Sequence, residues 1–307
     1  MMETSPVVGR FAPTPSGRMH LGNVFAAMLA WLSVRSKKGK MVLRMEDLDT
    51  QRTSDEYAAI LREDLLWLGL DWDEETTQQS KRSAVYDKYF DKLNDLGLLY
   101  PCYCTRSQLH SADAPHLADG TYVYPGTCRG LKEVPPGRTP SWRVTVPDRI
   151  WDFEDLVQGT YRENLLHDCG DFVVRRADGV YVYQLAVTVD DGLAGVTEVV
   201  RGMDLLSSAP RQMYLQELFG FDHPVYAHVP MLLAPDGRRL SKRDRDLDLG
   251  QLRKHMKPEQ LIGTLAFSAG LICRNTPISA DELAAHFDWE LLRKEDIYLD
   301  GIQLLGV

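Results

Sequence analysis

Gly9-Arg10-Phe11-Ala12-Pro13-Thr14-Pro15-Ser16-Gly17-Arg18-Met19-His20-Leu21-Gly22-Asn23 is the stretch from which the rest of the chain can be read. Val7 to Pro13 predicts a first strand, ended by Pro13 and Pro15, which cannot continue a central ladder. Val24 to Arg35 predicts the first helix, with Val24, Phe25, Met28, Leu29 and Leu32 at helical spacing. Gly17 and Gly22 remove side chains at the junction, so a ligand can approach the backbone. Free N–H groups and the positive dipole end at a helix start suit a phosphate, and His20 stands there as a compact donor. Met41 to Asp47 is a second apolar run of strand length. Strand, helix and strand at this spacing predict a right-handed βαβ unit with a parallel sheet. Ligands in such sheets sit at the carboxyl ends of the strands, where Glu46, Asp47 and Asp49 stand. The same carboxylates also suit an ordinary cap for the helix begun by Ser54-Asp55-Glu56.

The junction is neither a Walker phosphate loop nor a Gly-x-Gly-x-x-Gly loop. His20-Leu21-Gly22-Asn23 resembles the "HIGH" signature of class I aminoacyl-tRNA synthetases, and Arg10 to Gly17 resembles their glutamyl/glutaminyl branch. A second motif lies downstream, where an apolar strand over Val229 to Leu233 and a Pro235-Asp236-Gly237 turn lead to basic residues. There Arg239-Leu240-Ser241-Lys242-Arg243 resembles the "KMSKS" motif, with Arg for the first Lys, Leu for Met and Arg for the last Ser.

The chain has 307 residues and a net charge of −9, which argues against a protein that grips nucleic acid by bulk electrostatics. RNA contact would need local patches, such as Arg35, Lys37, Lys38 and Lys40, or Arg238, Arg239, Lys242, Arg243 and Arg245. The sequence has no run of about 18 apolar residues, and its start does not read as a signal peptide. The five cysteines, Cys102, Cys104, Cys128, Cys169 and Cys273, are an odd number, which favours a reducing cytoplasm over a disulfide framework.

Between the motifs, Ser54 to Leu68 and Ala84 to Leu96 predict amphipathic helices, and Pro101 to Arg138 turns rich in Pro, Gly, Cys and His. Cys102, Cys104 and Cys128 suggest a structural zinc site. On chemistry alone the fourth ligand would be His110 or His116, whereas the resemblance points to Tyr124. Three free thiols are the alternative. Short strands follow over Ser141 to Val146 and Ile150 to Leu165, and a hairpin turns at Ala177-Asp178-Gly179. Then come a helix over Gln184 to Asp191, a buried strand over Val196 to Arg201, and a helix over Pro210 to Leu218.

The expected architecture is α/β, a Rossmann-type nucleotide-binding fold with an inserted α+β zinc-containing subdomain, a small C-terminal helical appendage and no anticodon-binding domain. Its divisions are 1–100 and 186–246 for the two halves of the catalytic domain, 101–185 for the insertion and 247–307 for the appendage. Within the family this resembles truncated paralogues of glutamyl-tRNA synthetase, which activate glutamate with ATP and attach it to the queuosine base at the wobble position of tRNA(Asp). The resemblance implies a glutamate pocket of Arg10, Phe11, Ala12, Pro13, Thr14, Glu46, Tyr183 and Arg201. It implies ATP contacts from His20, Gly22, Arg239, Leu240, Ser241, Lys242 and Arg243, with His20, Gly22, Asn23 and Lys242 catalytic. It also implies ATP with Mg²⁺, one zinc on Cys102, Cys104, Tyr124 and Cys128, and a monomer that meets the anticodon stem-loop of tRNA(Asp). Glu46 suits an ammonium group, and Arg10 and Arg201 suit carboxylates. Ordinary charging of the tRNA 3′ end with a partner's help, or a non-enzymatic sensor, remain open alternatives.

Overall fold

The computed structural model describes residues 6–105, 108–109, 123–131, 135–238 and 249–299. Twelve strands and eight helices run through these residues. The strands are β1 (Val8–Phe11), β2 (Lys40–Leu43), β3 (Glu74–Glu75), β4 (Leu99–Cys102), β5 (Ser141–Val144), β6 (Ile150–Asp155), β7 (Gly159–Asn164), β8 (Phe172–Arg175), β9 (Glu198–Gly202), β10 (Val225–Val229), β11 (Leu232–Leu233) and β12 (Ile297–Tyr298). The helices are α1 (Leu21–Ser36), α2 (Asp55–Trp67), α3 (Ser83–Asp95), α4 (Tyr183–Leu193), α5 (Ser208–Phe219), α6 (Leu249–His255), α7 (Pro258–Ser268) and α8 (Ala280–Ala284). No helix among the described residues is long and apolar enough to cross a membrane.

The main sheet runs β3-β2-β1-β9-β10-β6-β7, and every neighbouring pair is parallel except β6 and β7. The chain winds outward from β1 in one direction through β2, then returns through β9 on the other side. β1 therefore marks the reversal of strand order, where open α/β sheets bind ligands. A separate antiparallel sheet, β4-β5-β8, ends its first strand on Cys102.

α1 is apolar around its circumference, with Val24, Phe25, Met28, Leu29, Trp31 and Leu32 almost inaccessible, as expected for a helix covered on both sides. One side meets the sheet. The other meets α6 to α8, through Leu249, Leu252, Leu261, Ile262, Leu265 and Leu283 in the same core, and Trp289 Nε1 donates to Ser33 Oγ at 3.1 Å. The C-terminal helices expected as an appendage are thus part of the main core. A second core on the opposite face joins α3, α4, α5, β5, β6, β8 and β10 through Tyr86, Val144, Trp151, Phe172, Leu185, Leu215 and Tyr226.

Two other expectations shift. α1 starts at Leu21 rather than Val24, because His20 is its N-cap and Gly22 and Asn23 fill its first turn. The 101–185 stretch divides between the small sheet and the main one, since β6 pairs with β10 through Asp155 opposite Tyr226. Helix α6 was not foreseen.

Candidate active site

A cleft of about 510 Å³ opens at the carboxyl ends of β1, β9 and β10. Arg10, Phe11, Ala12, Pro13, Thr14, His20, Gly22, Asn23, Glu46, Tyr183 and Arg201 all line it. The residues drawn from the first motif and from the expected glutamate pocket are therefore neighbours in space. The second motif, Arg239 to Arg243 with Lys242, lies outside the described residues, as do Arg245, His110 and His116.

One end of the cleft is the start of α1. His20 is extended at φ −89° and ψ 165°, and its carbonyl accepts from Asn23 N at 2.9 Å and Val24 N at 3.2 Å. The first turn of α1 holds no acidic residue, so its positive end is not neutralised from within the helix. Gly22 makes room for the His20 ring, since a Cβ there would stand 3.1 Å from Cε1 and Nδ1. Gly17, at φ 145°, turns the loop through a conformation that side chains disfavour.

The other end is a buried network of charges. Arg44 Nη1 donates to Asp191 Oδ1 at 2.6 Å and Arg44 Nη2 to Glu46 Oε1 at 3.1 Å. Arg10 reaches Asp191 Oδ2 at 3.4 Å and the Val200 carbonyl at 3.1 Å. Asp190 accepts from Gln79, Arg82 and Tyr86 at 2.8, 2.8 and 2.9 Å. Burial opposes ionisation of Asp191, but Arg44, Arg10 and Arg201 outweigh it and hold that carboxyl below its ordinary range. For Glu46 burial wins and holds its carboxyl above the ordinary range, although Arg44 and Arg10 pull down.

Arg201 differs from its neighbours. Its Nε donates to His228 Nε2 at 2.9 Å and its Nη1 to Gln212 Oε1 at 2.7 Å, with Tyr183 Oη at 3.4 Å. None of these is an acid, and the buried Nη2 has no hydrogen-bond partner. Glu198, three residues away on the same strand and so on its opposite face, pairs with Lys37 at 2.5 Å instead. Arg10, by contrast, is already shared with Asp191.

The three acids after β2 separate cleanly. Glu46 lines the cleft, Asp47 accepts from Ser80 N and Oγ at 2.9 and 2.6 Å, and Asp49 pairs with Arg52 at 3.4 Å. The candidate basic patch is largely neutralised. Arg35 pairs with Asp71 and Asp73 at 2.8 Å each, Lys37 with Glu198 and Lys40 with Glu74. Sequence reading missed Arg44, Asp190 and Asp191. The available signal was Arg44 between Leu43 and Met45, and two acids closing the apolar run Ala186 to Val189.

At the end of β4 the Cys102, Cys104 and Cys128 sulfurs lie within 4.8 Å of one another, a group that could hold a metal ion. Tyr124 Oη stands 3.5 Å from Cys102 Sγ and 3.8 Å from Cys104 Sγ, and Cys104 and Cys128 are 3.6 Å apart. A tetrahedral zinc with Zn–S bonds of about 2.3 Å has ligand–ligand edges near this length, so the donor set fits. Arg143 supplies positive charge beside it, with Nε 3.2 Å from Cys102 Sγ and its guanidinium 3.7 Å over the Tyr124 ring. Burial would raise the Cys102 thiol, but hydrogen bonds from Tyr124 and Arg143 bring it down to about 7. Burial and the neighbouring sulfurs push Cys104 up to about 11.

The family described as tRNA synthetases class I (E and Q), catalytic domain, matches residues 6–295. A protein of Nitratidesulfovibrio vulgaris named Glutamyl-Q tRNA(Asp) synthetase is 47% identical over 280 residues, covering 86% of each chain. One of that name from Symbiobacterium thermophilum is 45% identical over 306 residues, covering 94% of each chain. The crystal structure of glutamate-tRNA synthetase from Elizabethkingia anophelis superposes with a TM-score of 0.82 at 27% identity. That match covers 98% of this chain and 69% of the other.

Proposed function

The chain belongs to the class I tRNA synthetases of the E and Q family and is a ligase; from that premise we propose that it activates L-glutamate with ATP and transfers it to the queuosine base of tRNA(Asp). The observation that carries the glutamate half is Arg201, a buried cation that lines the ligand cleft, with neutral hydrogen-bond partners and a buried Nη2 that has none. A substrate carboxylate completes its hydrogen bonds, whereas a glutamine amide leaves the charge unpaired. Glu46, largely buried at the same end of the cleft, takes the α-ammonium. The relatives' name, matched along most of their length, supports queuosine of tRNA(Asp) as the acceptor.

In the first step a carboxylate oxygen of glutamate attacks the α-phosphorus of ATP. The bond to the β-phosphate oxygen breaks, and pyrophosphate leaves. Phosphoryl transfer of this kind depends on positioning and charge neutralisation. His20 and the first N–H groups of α1 hold the phosphates, Gly22 keeps space for that ring, and Asn23 stands beside them. By family resemblance, Arg239, Leu240, Ser241, Lys242 and Arg243 contribute from the second motif, with Lys242 on the leaving pyrophosphate, and Mg²⁺ accompanies the ATP. In the second step a hydroxyl of the queuosine ring attacks the activated carbonyl, an ester forms and AMP leaves.

Zinc on Cys102, Cys104, Tyr124 and Cys128 would act as a structural staple for the unit built on the small β4-β5-β8 sheet. This unit and the cleft rim meet the anticodon stem-loop, whose wobble base can be splayed into a compact site. The protein works as a cytoplasmic monomer. Labelled-glutamate transfer to tRNA(Asp) carrying or lacking queuosine tests the reading: only the modified RNA should accept label, and equal transfer to both would overturn it.

A further inference from the structure

The parallel register of β9 and β10 sets Arg201 beside His228. Arg201 Nε donates to His228 Nε2 at 2.9 Å, so that ring nitrogen carries no proton. The imidazole's proton is on Nδ1, 2.6 Å from Asp155 Oδ2 on β6. Asp155 also accepts from the backbone N–H groups of Val157, Gln158 and His228 at 3.0, 2.9 and 3.1 Å. His228 is fully buried, and Asp155 and Arg201 are 4% and 5% exposed.

An acid in direct contact with Arg201 would orient the guanidinium equally well, but it would also neutralise it and compete with the substrate's carboxylate. A neutral imidazole orients without neutralising. Asp155 can hold the ring's tautomer without this conflict, because its negative charge is spent on four N–H groups and stands one ring away. We propose, resting on the reading of Arg201 above, that His228 and Asp155 are positioning residues for substrate selection: they fix Arg201 through a neutral relay, so its charge stays available to the glutamate side chain.

The groups around His228 pull in both directions, and the neutral ring prevails. Asp155 faces it from β6, Arg201 from β9, the Leu205 carbonyl from the turn after β9, and Tyr226 on its own strand is stacked at 5.9 Å. Burial and Arg201 drive its pKa down to about 4 against the pull of Asp155 and the Leu205 carbonyl.

Two substitutions divide the relay. His228→Gln can keep an acceptor near the Nε2 position for Arg201, and His228→Asn can keep a donor near the Nδ1 position for Asp155 but not the contact with Arg201. Glutamate-dependent ATP–pyrophosphate exchange by the full chain should show KM for glutamate raised about 10-fold or more in His228→Asn, the order of one hydrogen bond to a charged group. His228→Gln should be milder, and KM for ATP should be nearly unchanged in both. Equal effects of Asn and Gln, or parallel changes in both KM values, would mean that the ring only packs, and would overturn the relay. A readout on the unmodified protein does not depend on variant folding: nitrogen-15 spectra of histidine-labelled chain should show His228 as the neutral Nδ1–H form between about pH 6 and 8. An imidazolium or Nε2–H form would also overturn it. If the unmodified protein shows no glutamate-dependent exchange, the reading of Arg201 fails, and the proposal fails with it.

Discussion

Replacing Arg201 with methionine keeps length and apolar bulk while removing the charge. Arg201 is 5% exposed, so a carboxylate bound to its guanidinium is removed from water and depends on it. Breaking a buried ion pair by deleting one partner costs about 3–5 kcal/mol, equivalent to roughly 10²–10³-fold or more in kcat/KM for glutamate. Glutamine loses much less, because it never gained the pair, so selectivity should collapse by a similar factor. Folding should suffer far less. The variant gives up hydrogen bonds to His228 and Gln212 and the charge that Asp191 feels, but it also relieves a buried cation with no acid in direct contact. ATP–pyrophosphate exchange with each amino acid, alongside thermal unfolding, measures all three quantities. A variant that keeps glutamate kcat/KM within about threefold and still rejects glutamine would refute the carboxylate-pairing account.

His20→Ala and Lys242→Ala should each lower exchange by about 10²-fold, as for loss of one preorganised donor; wild-type rates in both would contradict their assignment to ATP. Elemental analysis of protein purified without added metal should find about one zinc per chain, lost in Cys104→Ala together with thermal stability; folded, active, metal-free protein would favour free thiols. Glu46 is held above the ordinary carboxylate range by burial, so the folded chain keeps its proton to higher pH than the unfolded chain. Docking the substrate ammonium should expel that proton. Calorimetry at about pH 5 in buffers of different ionisation heat should detect proton release that Glu46→Gln abolishes; identical values for both proteins would count against Glu46 as the ammonium partner.

The βαβ start was legible because two signals coincide there. Pro13 and Pro15 end a strand, and the apolar residues from Val24 onward follow a helical period. The cleft walls were legible through motif resemblance, and the shared lining by Arg10, His20, Glu46 and Arg201 follows from the carboxyl ends of parallel strands meeting at one edge. The floor was not legible. Asp190 and Asp191 sit inside a helix whose period predicts only burial, and their partners Arg44, Arg82 and Gln79 come from more than a hundred residues away. His228 in Val225 to Val229 reads as one polar residue in an apolar strand, and only the pairing of β10 with β9 and with β6 gives it its partners. Helix α6 is short, and although Asp248 precedes it in the sequence as a capping residue type, its seven residues are too few to show a helical period, so its burial through Leu249 and Leu252 depends on packing in the core that holds α1.

The most direct test of the account uses tRNA(Asp) that carries queuosine but is shortened by its terminal adenosine, incubated with ATP and labelled glutamate. The account predicts undiminished labelling of the shortened RNA, with the label mapping to the anticodon loop. Labelling that disappears with the terminal adenosine, yet is equal with and without queuosine in intact tRNA, would contradict it and assign the chain to ordinary charging of the 3′ end.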